Sequence, residues 1–548
     1  MSSYNRPVFY LFVILSYSFA NCIVLRTKQG VLKGDVSSSR NGRTFYSFYS
    51  IPYAEPPVGE LRFQDPVPAK SWEGVRDATI LPPICLNFEG EKFGQEDCLY
   101  LNVYTPKISN ETLLPVMVFI YGGRFMFGNA LPDRYGPHYF MDKDVILITF
   151  HYRLGVFGFL STEDEVIPGN YGLKDGVAVL QWVQKYIDDF GGDKDRVTVF
   201  GGSSGSISAA LHLISPLSEG LFHRVISQSG VPLEIEKPGK ARLNAWKYGS
   251  LVGCDGDDVK TSEDLLKCLK NISADELNLQ NNGLFTFSVM MPNLPWSPVI
   301  ENEKVPGAFL VDEPKKLLQR KSEVPWMLGM NSDEGGMLAL FTYFGFDGNS
   351  GVQKELEANH KIYFPSIFRY GDGIQNNTEK LDLLTEALKC HYFGERNISQ
   401  NIYGFAKMFT SLTYVRLINE CVKLYNGPKY VYYYGHQNRE SFIKMYASYS
   451  NLDMDVIHGD ELISFFNWSS VITPITQGVD LAVSEQMLDL WTNFAANGDP
   501  NYKYEDESIW RPTVSSSEID YLHIENGTFE MKTNFAKEEL DFLGSLPI

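Results

Sequence analysis

Positive charge is scarce in this 548-residue chain: 48 Lys and Arg stand against 67 Asp and Glu, a formal net charge of -19. That balance argues against a nucleic-acid partner and against a polybasic membrane contact. Long apolar runs are scarce too. The longest is the stretch of about 13 residues from Val8 to Ala20, and no other approaches the 18 or so that a membrane span requires. Seven cysteines are too few for a disulfide-dense scaffold. No internal repeat, low-complexity block or Pro/Gly/Ser linker divides the chain, so one large domain with insertions is expected over residues 21–548.

The short run at the N-terminus reads as a cleavable leader. Arg6 precedes it, and Ser18-Phe19-Ala20 offers small residues at the cleavage site, giving a signal peptide over residues 1–20. The C-terminal residues Leu540 to Ile548 carry neither a retention signal nor an apolar anchor tail, so the expected location is secreted and extracellular. Six N-x-S/T sequons fit that route, at Asn110, Asn271, Asn376, Asn397, Asn467 and Asn526. Cys85 with Cys98 and Cys254 with Cys268 bracket short loops; in an oxidising compartment they close local disulfides, and otherwise they are isolated buried thiols. Cys390 and Cys421 could make a third bridge, which leaves Cys22 unpaired.

What the chain has in abundance is aromatic residues, 14% with Tyr 31 and Phe 36, which suits a large apolar interior or an aromatic-lined pocket. Continuous apolar or β-branched runs at Val116–Tyr121 and Val145–Phe150 read as strands buried on both faces. Helical periodicity covers residues 176–187, and further strands are expected at Val197–Phe200, Arg224–Gln228, Val324–Gly329 and Tyr430–Tyr434. Strands alternating with helices predict an α/β fold, one large mostly parallel sheet covered on both faces. Residues 240–320 and 340–425 read as mainly helical insertions, either pocket walls or plain packing.

One segment carries chemistry. Val197-Thr-Val-Phe200 runs into Gly201-Gly-Ser-Ser-Gly205 and then a small-residue helix. A G-x-S-x-G turn between strand and helix forces the serine into a strained conformation, lifts its hydroxyl off the sheet and points helix N-terminal amides at the same spot. A serine hydroxyl needs a base and a carboxylate to orient that base, and on such turns they follow in the order Ser, Asp/Glu, His. Downstream, Pro325 to Gly335 is a strand entering a turn with Asp333 and Glu334, and Asp455-Val-Ile-His-Gly-Asp-Glu461 puts His458 in a loop.

From about Val31 to Pro512 the chain resembles the type-B carboxylesterase/cholinesterase family. The residues that carry the likeness include Ile51–Gly59, Leu61-Arg-Phe63, Glu96–Val103, Tyr121-Gly-Gly-Arg-Phe125, Gly169–Asp175, the serine turn, Ser227-Gln-Ser-Gly230 and Asn497-Gly-Asp-Pro500. Arg124–Gly128 and Leu251–Cys254 bring it nearest to insect secreted esterases of the β-esterase type. The resemblance implies an α/β-hydrolase fold, Ser203 as nucleophile, His458 as base then acid, and Glu334 as the orienting carboxylate, with Asp333 the alternative on chemistry alone. It implies an oxyanion hole of the Gly123, Arg124 and Ser204 amides, the Cys85–Cys98 and Cys254–Cys268 disulfides, a small-molecule ester as substrate, and no metal or cofactor.

Two positions depart from the family pattern. Arg124 stands where relatives carry glycine or alanine, which narrows its backbone freedom and crowds the acyl site. Gly202 stands where many relatives carry a carboxylate or another polar group, and that loss is expected to depress the basicity of His458. The rival readings are a catalytically silent binding or adhesion protein and a juvenile hormone esterase, a group that usually shows Gly-Gln-Ser-Ala-Gly at the turn. An acetylcholinesterase is disfavoured, because only twelve residues separate Cys85 from Cys98 and none is tryptophan.

Overall fold

The computed structural model describes residues 22–546 except 88–93, 110, 285–293, 304, 346–350, 371–376, 446–451, 502–508 and 515–517. The leader over residues 1–20 and the sequons Asn110 and Asn376 lie outside the described residues.

A 13-stranded sheet organises the chain. In chain order its strands are β1 (Cys22–Arg26), β2 (Val31–Ser38), β3 (Thr44–Pro52), β4 (Val75–Asp77), β5 (Tyr100–Thr105), β6 (Leu114–Ile120), β7 (Ile146–Phe150), β8 (Gly192–Gly202), β9 (Arg224–Gln228), β10 (Trp326–Asn331), β11 (Lys429–Tyr434), β12 (Tyr521–Glu525) and β13 (Thr528–Lys532). Their spatial order is β1-β2-β3-β5-β7-β6-β8-β9-β10-β11-β12-β13, with β4 beside β2. From β7 to β12 neighbouring strands run parallel, while β1, β2, β3, β5 and β13 join antiparallel at the margins. This is the expected α/β-hydrolase architecture.

Every residue of β6, β7 and β10 is buried, which is why these strands read as unbroken apolar runs rather than alternating ones. β10 begins two residues later than the run at Val324 suggests, because Pro325 has no N–H to give to a ladder. The helix expected over residues 176–187 covers Tyr171–Tyr186. Much of the aromatic content is core: Trp326, Trp491 and Trp510 are fully buried, the last two packed against Tyr432 and Trp326 against Tyr425.

The first insertion holds the helices Lys240–Leu251, Ser262–Asn271 and Ala274–Leu279, tied by the Cys254–Cys268 disulfide. Cys85–Cys98 closes the second short loop. The third bridge is not formed: Cys421 is buried inside the helix Arg416–Leu424, whereas Cys390 is exposed near the end of the helix Thr378–Phe393. Cys22 is free and exposed. Of the described sequons, Asn271, Asn397 and Asn526 are exposed and Asn467 is half-buried. No helix among the described residues is long and apolar enough to cross a membrane.

Candidate active site

Parallel strands deliver their C-terminal ends to one edge of the sheet, and loops there collect side chains distant in sequence. The ends of β6, β8 and β10 and the loop beyond β11 supply residues 122–125, Ser203, Glu334 and His458 to one chamber of about 730 Å³.

Ser203 sits at the apex between β8 and the helix Ser204–Ile214 with φ 59° and ψ -128°, a conformation that L-residues avoid. Its amide donates to Gln228 O at 2.9 Å, and its own carbonyl accepts from Ile207 N at 3.0 Å. Neighbouring backbone leaves no room for side chains around this turn. A Cβ on Gly205 would lie 2.0 Å from Ile120 O, and one on Gly122 would lie 2.8 Å from Ser203 Cβ. The loop after β6 therefore packs directly against the serine. Phe125 N donates to Ser204 Oγ at 3.3 Å and binds the two loops together. Gly123 at φ 123° and Arg124 at φ 59° give the loop its path, so the arginine occupies backbone space that suits glycine.

Glu334 lies in the turn beyond β10, just before the helix Gly335–Phe344, and is 1% exposed. Its Oε2 meets His458 Nδ1 at 2.5 Å, and its Oε1 accepts Asn331 N at 2.7 Å. Asp333, the chemical alternative, is instead bound through its backbone N–H to Val456 O, and burial pushes its carboxyl up to about 6. With Nδ1 held by Glu334, Nε2 is the ring nitrogen of His458 left for a nucleophile.

Burial works to lower the His458 pKa, but Glu334 overrides it through charge and hydrogen bond, with Glu461 and then Glu234 adding to the effect, so the net shift is upward from 6.5. Glu461 and Glu234 thus act on the ring from other loops. A side chain at Gly202 would press on Leu462, its Cβ 2.9 Å from Leu462 Cδ1.

Several residues of this network carry no motif. Asn331 Nδ2 donates to Glu461 at 2.5 Å and to Ile457 O at 2.8 Å. Glu461 is fully buried, and burial, reinforced by Glu334, pushes it up to about 7. Burial likewise raises Glu234 to about 7 against the pull of Arg369, His458 and Arg124. Tyr414 packs its ring 5.4 Å from that of His458. It lies in the second insertion, which with Phe368, Phe409 and Leu417 walls the chamber. The first insertion contributes Leu294 and Ser297.

The profile of the carboxylesterase family matches residues 21–543. The juvenile hormone esterase of Tribolium castaneum is 35% identical over 94% of this chain and 91% of its own length. Esterase FE4 of Myzus persicae is 34% identical over 97% and 94%. Among solved structures, the juvenile hormone esterase of Manduca sexta, with OTFP covalently attached, superimposes with a TM-score of 0.81 at 26% identity, covering 96% of this chain and 99% of that one. The chain belongs to the carboxylesterase family.

Proposed function

We propose that the protein hydrolyses carboxylic esters through an acyl-enzyme on Ser203. The observation that carries this reading is the 2.5 Å contact of His458 Nδ1 with buried Glu334 in the chamber that Ser203 also lines. Ser203 Oγ attacks the ester carbonyl while His458 Nε2 takes its proton. Glu334 fixes the ring's tautomer, and Glu334 and Glu461 stabilise the imidazolium that forms. Charge developing on the carbonyl oxygen is met by the amides of Gly123, Arg124 and Ser204, the last at the start of a helix. His458 then protonates the departing alcohol, and water delivered through the same base releases the acid. The cycle uses neither metal nor cofactor. A panel of aryl and aliphatic esters tests it: the native protein turns over at least one, and Ser203→Ala abolishes that activity. An acyl-enzyme burst would also exclude a silent binding or adhesion role.

A juvenile hormone esterase is a second reading, favoured by the Tribolium and Manduca relatives. The Gly201-Gly-Ser-Ser-Gly205 turn favours the broader carboxylesterase. Comparing kcat/KM for juvenile hormone with that for 4-nitrophenyl butyrate separates them.

The single domain over residues 21–548 is secreted after removal of residues 1–20. Two disulfides and exposed Asn271, Asn397 and Asn526 support export. A glycosidase-sensitive mass of the medium-borne protein, with an N-terminus near residue 21, tests this.

A further inference from the structure

The second insertion touches the triad through one stretch of helix. Residues 402–424 run as α over Ile402–Phe409, π over Thr410–Val415 and α again over Arg416–Leu424. A π turn is rare and is found mostly where a functional site needs it. Its first residue here bonds the turn that carries Glu334: Thr410 Oγ1 accepts the N–H of Gly335 at 2.9 Å and donates to Ala406 O at 3.0 Å. Its fifth, Tyr414, packs on His458.

The approach to Gly335 is close, since a Cβ there would lie 2.0 Å from Ala406 O and backbone meets backbone. The helix that starts at Gly335 takes no side-chain cap from Glu334, whose carboxylate goes to His458 and Asn331 N. Thr410 thus satisfies the amide beside the triad acid from another part of the chain.

The C-terminus holds the π turn in its turn. Glu539, in the helix Lys537–Gly544, accepts from Ser411 Oγ and Tyr392 OH, both at 3.0 Å, and pairs with Lys407 at 2.7 Å. Burial works to raise its carboxyl, but Lys407, Ser411 and Tyr392 hold it below the ordinary glutamate value. Phe542 of the same helix stacks on His391, 3.5 Å between ring centroids. Thr410 and Ser411 are both buried, and a buried hydroxyl is costly unless it is bonded. Packing alone would ask for apolar residues at both positions.

We propose that the π turn positions the triad acid: Thr410 holds the turn that carries Glu334, and Glu539 on the C-terminal helix holds the segment that carries Thr410. Thr410 and Glu539 are positioning residues. The C-terminal helix is thereby part of the active-site scaffold, although none of its described residues lines the chamber. This inference rests on the esterase reading of Ser203.

Turnover of an uncharged aryl ester such as 4-nitrophenyl butyrate, measured across pH and expressed per site titrated with a fluorophosphonate, tests it. Burial lowers the His458 pKa and Glu334 does most to raise it, ahead of Glu461 and Glu234, with the Tyr414 ring also against the imidazole. Loosening Glu334 therefore lowers kcat and the pH midpoint of kcat/KM, whereas loss of fold lowers only the number of titratable sites. Thr410→Val keeps the shape and removes the hydroxyl: kcat falls about 10-fold, KM stays within about 2-fold of native, and the midpoint moves down. Thr410→Ser, which keeps the hydroxyl, restores both. Glu539→Ala moves kcat and the midpoint in the same direction by less, and decides alone if Thr410→Val yields no titratable protein. Native kcat and midpoint in Thr410→Val, a defect that Thr410→Ser shares in full, or native kcat and midpoint in Glu539→Ala would overturn the proposal while leaving the esterase intact. No turnover of any aryl or aliphatic ester by the native protein would overturn the esterase reading and this one with it.

Discussion

Asn331 donates its side-chain amide to Glu461 at 2.5 Å and its backbone N–H to Glu334 at 2.7 Å, so one residue at the end of β10 sets both buried carboxylates behind His458. Asn331→Ala keeps the bond to Glu334 and strips the bonds to Glu461 and Ile457 O. An unsatisfied buried acceptor costs about 1–3 kcal/mol. Denaturant unfolding is expected to show a loss of that size, together with a lower kcat. A variant as stable and as active as the native protein would contradict the junction.

Glu461→Gln alters two pH dependences. Its folded carboxyl is raised to about 7 from an ordinary 4.5. Between those values the unfolded chain has released the proton and the folded one has not, so this group erodes native stability as pH rises, by about 3 kcal/mol in all. The variant is expected to lose that slope and to be more stable than native protein at pH 8. In catalysis His458 works as the neutral base, and its pKa is raised above 6.5, so kcat/KM climbs with pH through a midpoint above that value. Removing one facing anion moves the midpoint down. A profile identical to native, by pH–rate measurement on an uncharged aryl ester, would refute the role given to Glu461.

Gly205→Ala forces a Cβ to within 2.0 Å of Ile120 O, between the serine turn and the loop after β6. Backbone on both sides cannot give way, so the turn shifts. Labelling of Ser203 by a fluorophosphonate is expected to slow by about 100-fold or more, since displacement of about 1 Å at a reacting centre costs that much. A native labelling rate would show that the close packing of these loops is not needed.

Arg124→Gly puts the residue suited to φ 59° into the loop against Ser203. Relief of about 1 kcal/mol of backbone strain corresponds to roughly 5-fold in rate if it is expressed at the transition state. Turnover of a small uncharged aryl ester is expected to rise by about that factor. Unchanged turnover would show that the arginine does not hinder the loop.

Apolar runs at Val116 and Val145 announce the central strands because strands covered on both faces admit no polar alternation. The serine turn is equally legible, since close backbone packing restricts it to glycine and small residues. Asp333 and Glu334 are indistinguishable as sequence; only the fold turns Glu334 toward the histidine and sends the Asp333 amide to Val456 O. Glu234, Asn331 and Tyr414 carry no local signal at all. Only the ordering of β9, β10 and the second insertion around the sheet brings Glu234 and Tyr414 to His458 and Asn331 to its carboxylates.

The central claim is that Ser203 is acylated. Rapid mixing of the protein with a 4-nitrophenyl ester should release nitrophenol in a burst equal to the enzyme concentration. Intact-mass and peptide analysis at that moment should place one acyl group on the peptide containing Ser203, and Ser203→Ala should give neither burst nor adduct. Hydrolysis that persists in Ser203→Ala, or an acyl group found on another residue, would contradict the account.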